Sequence, residues 1–305
     1  MEYKITVIVP IYKPDNKFLE LLHMLKRQKD IAFRLYIVDS GSDKKWVAAA
    51  KGLDYQCKDI RPQQFNHGGT RQEAAKKFSD SDILIYLTQD AILADEYGLY
   101  NIVKAFDNPQ IGCAYGRQLP HKGAGILATH ARLFNYPAKS QIKQLSDAKY
   151  LGIKTAFISN SFAAYRTKVL QEVGGFPSHV ILSEDTYVAS KMVLAGYKVA
   201  YCADAKVYHS HDYTIMQEFR RYFDTGVFHA GEPWIREAFG QAEGEGGRFV
   251  RSEFGYVLKH QPSLLFGAFI RDGMKFLGYR LGINGKKLPL WMKRKCSMMK
   301  QYWDR

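Results

Sequence analysis

Short apolar runs alternate with helix-period segments through the first ninety residues, and this alternation leaves the chain few folds to choose from. Ile5–Ile11, Arg34–Asp39 and Ile83–Leu87 read as strands: each is short and almost continuously apolar, as strands buried on both faces are. Between them, residues 18–28 carry Phe18, Leu21, Leu22 and Leu25 at helical spacing. Residues 44–51 read as a second helix, and residues 71–78 as a third behind a glycine turn. Strands separated by helices predict βαβ units, hence an α/β fold with a mainly parallel sheet flanked by helices. Ligands of such sheets bind outside the carboxyl ends of the strands. Asp39 and Asp90 lie at two such ends.

The later chain is less regular. Residues 157–165 and 198–201 read as strands, and residues 184–195 as a helix opened by Ser183 as N-cap and closed by Gly196. Beyond His211 the pattern turns helical, with loops expected at 240–247 and 282–289. A division into a nucleotide-binding unit, 1–226, and a helical C-terminal region, 227–305, follows from that change.

Five local patterns carry chemistry. Asp39, after a strand and before Ser-Gly-Ser, suits either acceptance of a pyrimidine N3–H or an Asx-turn. Thr88-Gln89-Asp90 presents a hard oxygen ligand for Mg²⁺ or Mn²⁺ against a diphosphate, or else a helix cap. In Phe65-Asn66-His67-Gly68-Gly69-Thr70-Arg71 the glycine pair admits an anion to backbone N–H groups and Arg71 offers a bidentate contact; an ordinary glycine turn reads equally well. The spacing is neither that of a P-loop nor that of a dinucleotide fingerprint. Glu184-Asp185 sets two carboxylates side by side, which raises one pKa toward a useful base value; acids in a first helical turn are also common. His209-Ser210-His211, if extended, points both imidazoles the same way toward a metal.

The order of these patterns resembles the inverting family 2 glycosyltransferases of GT-A fold, from about Ile5 to Gly226. The resemblance rests on VIVPIYK, IVDSGS, an acid after an apolar strand, Gly174-Gly175-Phe176, Glu184-Asp185 and the histidine pair. FNHGGTR, TQDA, SNSFAAYR, SEDTY, VYHSH and FRRYFDTGVF look closer still to bacterial rhamnosyltransferases. It implies a Rossmann-like sheet and a nucleoside-diphosphate sugar donor, dTDP-β-L-rhamnose for that subfamily, with a UDP-hexose as the alternative. It assigns Tyr12 and Asp39, with Pro10, to the base, and His67, Gly68, Gly69, Arg71 and Gln89 to the rest of the donor. Asp90 and His211, with His209, would take Mn²⁺ or Mg²⁺. Asp185 would be the catalytic base, with Glu184 beside it, in a single displacement that turns a β-linked donor into an α-linked product. The sequence departs from the family in one place: Thr88 stands where the first acid of the usual DxD would be.

Composition limits the alternatives. Hydrophobic residues are 46%, enough for a sizeable core. The four cysteines form no CxxC pair, which disfavours a zinc knuckle and predicts reduced thiols in the cytoplasm. No run approaches the roughly 18 apolar residues of a membrane span. The net charge is +14, and residues 255–305 hold eleven Lys or Arg against Asp272 and Asp304. Interleaved with Phe266, Phe269, Phe276, Leu277 and Trp291, that block suits peripheral contact with anionic lipid on the inner face of the cytoplasmic membrane, where a lipid-linked saccharide acceptor would be met. The competing expectation is a helix that covers the domain's own core. A nucleic-acid-binding protein lacks any motif here, so no nucleic-acid partner is expected, and a non-catalytic sugar-nucleotide binder would not need both Asp90 and Asp185. The oligomeric state is left open.

Overall fold

The structure is a computed structural model and describes residues 3–240 and 243–304. Its first half is the expected βαβ series: β1 (Ile5–Ile11), α1 (Asn16–Lys26), β2 (Arg34–Asp39), α2 (Lys44–Ala48), β3 (Tyr55–Asp59), α3 (His67–Lys77) and β4 (Ile83–Leu87). The strands lie in the order β3-β2-β1-β4, all parallel, with Ile11 beside Asp39. Both faces are packed: Ile8, Leu84 and Tyr86 enter one core, Val7, Val9 and Ile85 the other. This is why β1 and β4 read as unbroken apolar runs.

Beyond β4 come β5 (Ile92–Leu93), α4 (Gly98–Val103), β6 (Ile111–Leu119), α5 (Ile126–Asn135), β7 (Gln141–Lys143), α6 (Ala148–Leu151), β8 (Phe162–Arg166), α7 (Thr167–Glu172), α8 (Glu184–Leu194) and β9 (Lys198–Tyr208). Here the sheet becomes mixed. β8 enters between β4 and β6, antiparallel to both, while β6 and β9 run parallel. The strand expected over 157–165 begins only at Phe162, and residues 159–161 form the turn before it. The antiparallel entry pairs Phe162 with Leu87, so that turn lies at the carboxyl end of β4, next to Thr88-Gln89-Asp90. The strand at 198 is longer than expected and ends beside Leu119 at Tyr208, which delivers His209 to the same edge.

The remainder is helical: α9 (Ile215–Gly231), α10 (Pro233–Phe239), α11 (Glu243–His260), α12 (Leu265–Ile283), α13 (Leu290–Cys296) and a 3₁₀ turn, Lys300–Asp304. The loop expected at 240–247 gives way to helix from Glu243; residues 241 and 242 lie outside the described residues. α9 runs through the 226/227 boundary without a break. It packs on α12 at backbone contact: a Cβ on Gly278 would sit 2.3 Å from the Phe219 carbonyl oxygen, and one on Gly282 2.1 Å from that of Phe223. Only glycine permits that approach. Among the described residues no helix is long and apolar enough to cross a membrane.

Candidate active site

The carboxyl ends of β1, β2 and β4 frame a cavity of about 380 Å³ lined by Pro10, Ile11, Tyr12, Ser40, Pro62, Phe65, His67, Arg71, Thr88, Gln89 and Gln301. Gln89 shapes its rim: its carbonyl oxygen accepts from the Tyr12 N–H (2.7 Å) and its amide donates to the Tyr12 carbonyl (3.1 Å). This ties the end of β1 to the end of β4 and leaves the Tyr12 ring half exposed over the opening. Asp39 is buried, and its Oδ1 accepts from the Ser42 N–H at 2.9 Å, an Asx-turn.

The glycine pair does different work from that expected. Gly68 and Gly69 lie in the first turn of α3 and not in a turn before it. Asn66 caps the helix by accepting the Gly69 N–H at 2.6 Å, so that donor is already used. A Cβ on Gly68 would lie 1.7 Å from the Pro177 carbonyl oxygen; its bareness admits the loop after Gly174-Gly175-Phe176. Gln72 holds the same loop by accepting the Phe176 N–H at 2.7 Å. Gly68 thus serves the docking of that loop, and the Gly69 N–H serves the cap of α3. Arg71 is also diverted. It is buried, pairs with Glu184 Oε1 at 3.1 Å and donates to the His67 carbonyl at 3.0 Å. His67 itself faces the cavity.

Asp90, His209 and His211 converge: one ligand atom from each lies within 4.8 Å of the others. Asp90 reaches the Nε2 of His209 at 3.6 Å and that of His211 at 3.7 Å. The two histidines follow the end of β9, while Ser210 between them turns away to accept the His121 N–H. His209 Nδ1 lies 2.9 Å from Gln118 Oε1, which also accepts from Arg132, while Gln118 Nε2 donates to Ser159 at 2.9 Å. That pattern puts the His209 proton on Nδ1 and leaves the Nε2 lone pair facing Asp90. Burial pushes His209 down to about 3 and His211 below its usual value, which favours the neutral form of both rings at pH 7. Burial raises Asp90, but attraction to His209 and His211 in their protonated forms opposes it, and the carboxyl lies below its usual value. One carboxylate and two imidazoles suit a divalent transition ion such as Mn²⁺ better than the all-oxygen shell Mg²⁺ prefers.

Asp185 opens α8 beside this cluster. Its Oδ2 accepts the Asn160 N–H at 3.0 Å and its Oδ1 the Thr186 N–H at 2.7 Å. Burial, and then the charge of Glu184, push it up to about 6. Glu184 has the opposite environment. Against the cost of burial, Arg71, then His67 and the Asn160 amide at 3.0 Å, hold it ionised. Its carboxylate is therefore occupied, and of the two acids Asp185 has the pKa nearer neutrality. Ser183 stands at the N-cap as expected, but in a left-handed conformation (φ 60°) and without a side-chain capping bond; its carbonyl accepts the Tyr187 N–H at 3.0 Å. Residues 159–161 link the two centres. Ser159 holds Gln118, Asn160 holds both acids, and Ser161 accepts the Thr88 N–H at 3.3 Å. The sequence pattern pointed to none of Gln118, Asn160 and Gln301 as a site residue; nothing local marks them.

A cavity at parallel strand ends, an acid–histidine cluster and a helix-borne carboxylate of raised pKa together fit a glycosyltransferase of GT-A fold. The chain belongs to glycosyl transferase family 2, whose sequence profile matches residues 6–174, a stretch that includes Asp39 and Asp90 and ends before Asp185 and the histidines. It is 51% identical to the O-antigen chain rhamnosyltransferase RfbN of Salmonella typhimurium, over 99% of this chain and 96% of that one. It is 47% identical to the O-antigen chain rhamnosyltransferase WbaN of Salmonella anatum, over 98% and 95%. Among solved structures its fold is shared by the mannosyltransferase PcManGT from Pyrobaculum calidifontis in complex with GDP-Man and Mn²⁺, at 20% identity and TM-score 0.57, covering 100% of this chain and 86% of that one. S. aureus TarS 1–349 in complex with UDP-GlcNAc shares it too, at 15% identity and TM-score 0.55, covering 93% and 91%.

Proposed function

We propose that this glycosyltransferase moves L-rhamnose from dTDP-β-L-rhamnose to a hydroxyl of a lipid-linked saccharide in the assembly of a cell-surface polysaccharide. The observation that carries the donor assignment is the near-full-length identity to two O-antigen chain rhamnosyltransferases. Pro10 and Tyr12, which line the cavity, receive the base together with Asp39, which is buried and not in its lining, and His67, Gln89 and the cavity face of Arg71 border the rest of the donor. Asp90, His209 and His211 hold the cation; when bound, it offsets the charge that builds on the departing diphosphate. Asp185 takes the proton from the acceptor hydroxyl as that oxygen displaces the diphosphate, inverting the anomeric centre. Residues 1–226 supply the acids, the histidines and all of the cavity lining but Gln301, and residues 227–305 the approach of the acceptor, with α9 shared between them.

Membrane contact belongs to the same reading. The outer face of α12 exposes Phe266, Phe269, Phe276 and Leu277, and Trp291 lies exposed on α13. Lys286, Lys287, Arg294 and Lys295 are exposed nearby in sequence. Apolar side chains ringed by cations fit the boundary of an anionic leaflet on the cytoplasmic side. The test is release of nucleoside diphosphate from a panel of nucleotide sugars with Mn²⁺, run with anionic and neutral vesicles. dTDP-rhamnose should be preferred, and the chain should co-sediment with anionic vesicles in a salt-sensitive way. Preference for a UDP-hexose would leave the fold and chemistry standing and discard the rhamnosyl assignment. Equal sedimentation with both vesicle types would remove the lipid contact.

A further inference from the structure

Ten of the eleven residues lining the donor cavity come from positions 10–89; the eleventh, Gln301, comes from the other end of the chain. It is held there by a built attachment. Asp224 on α9 is fully buried, and its Oδ2 accepts two backbone N–H bonds, from Met298 at 2.9 Å and Met299 at 3.2 Å. Ser297, also fully buried, steadies the turn by accepting the Met299 N–H at 2.9 Å. Beyond it, Met299, Tyr302 and Trp303 pack against the core that contains Tyr36 and Tyr86. Met299 on one side and Tyr302 and Trp303 on the other are thus half-buried against the protein, while Lys300 and Gln301 are exposed and Gln301 borders the cavity. A carboxamide has two donors and an acceptor with two lone pairs, suited to the polar edge of a base, a ribose hydroxyl or a phosphate oxygen.

We propose that residues 297–304 are a fixed part of the donor site and that Gln301 binds the nucleotide of the donor directly. This rests on the reading of the cavity as a donor site and deepens it. The C-terminal end of the chain, whose charge points to a membrane, would then also contribute to donor recognition. A buried carboxylate spent on two backbone N–H groups fixes the path of the segment, and a fixed path is what a binding residue at the end of a chain requires.

The experiment is titration calorimetry of the full-length chain with dTDP in the presence of Mn²⁺, paired with donor kinetics. Gln301→Ala should weaken dTDP binding and raise the donor KM by about two- to tenfold, the worth of one neutral hydrogen bond, with kcat and thermal stability nearly unchanged. Asp224→Leu should release the segment, lower donor affinity at least as far and expose the C-terminal end to protease. Unaltered dTDP affinity and KM in Gln301→Ala would overturn the proposal, and the segment would then only cover the core. If the unaltered chain bound neither dTDP nor UDP, the donor reading itself would fall, and this proposal with it.

Discussion

Asp90 and Asp185 are both aspartates at the open edge of the sheet, joined through Gln118 and residues 159–161, yet their surroundings drive them apart. Asp90 faces two imidazoles, and its carboxyl lies below its usual value. Asp185 faces a second carboxylate in a buried setting and is raised to about 6. The first is an environment for a cation, the second for a proton. Burial pushes both carboxyls up; beside Asp185 the Glu184 charge adds to that push, whereas the histidines beside Asp90 oppose it.

The comparison breaks most sharply at Asp185. Asp185→Asn keeps the shape and still accepts a backbone N–H but takes no proton. Turnover should fall by about 10²- to 10⁴-fold while dTDP binding and Mn²⁺ affinity stay near normal. Rapid-quench measurement of transfer checks this; near-normal turnover would remove Asp185 from the mechanism.

At the other centre the sharper probe is Gln118, which touches His209 and not the ion. Gln118→Ala removes the acceptor that fixes the Nδ1 proton and leaves Arg132 without its partner. Mn²⁺ affinity, read by electron paramagnetic resonance on the donor-free protein, should weaken by about 10- to 100-fold. Unchanged Mn²⁺ affinity would mean that His209 does not ligate the ion through an orientation set by Gln118.

The two centres also differ in how far the sequence could reveal them. β1, β2 and β4 begin and end at Ile5–Ile11, Arg34–Asp39 and Ile83–Leu87, as the alternation of apolar runs predicts, because strands buried on both faces leave a signal in consecutive residues. Asp39 and Asp90 are placed by that signal alone. The glycine pair misled because its reason lies more than a hundred residues away, in the Pro177 carbonyl that fills the space of a Cβ on Gly68. Asn160 escaped because an antiparallel entry of β8 was not expected, and only that entry brings residues 159–161 to the end of β4. Gln118 meets His209 across 91 positions, and Asp224 meets Met298 across 74; a lone polar residue carries no local mark of so distant a partner.

The finest test asks whether Glu184 tunes Asp185 by charge. In the native site, burial raises Asp185 first and the Glu184 carboxylate adds to it. The base works only when ionised, so kcat/KM should fall about tenfold per unit as pH drops below about 6 and level off above it. Stability carries the opposite sign. A carboxyl whose folded pKa lies above its unfolded value of 3.8 favours the protonated native state, so its contribution is lost as pH rises from that value to about 6. Asp185 is thus ready for catalysis in the state that is least favourable for the fold. Glu184→Gln removes the neighbouring charge, keeps an acceptor for Asn160 and leaves the burial. The acid limb should move to lower pH by less than the full elevation, and the plateau rate should change by less than tenfold, since Glu184 does not take the proton itself. Arg71 loses its ion pair in this variant, so the melting temperature should fall, but a loss of packing alone would lower the plateau without moving the limb. A limb that stays at about 6 would mean that burial sets the base and that Glu184 serves only to hold Arg71.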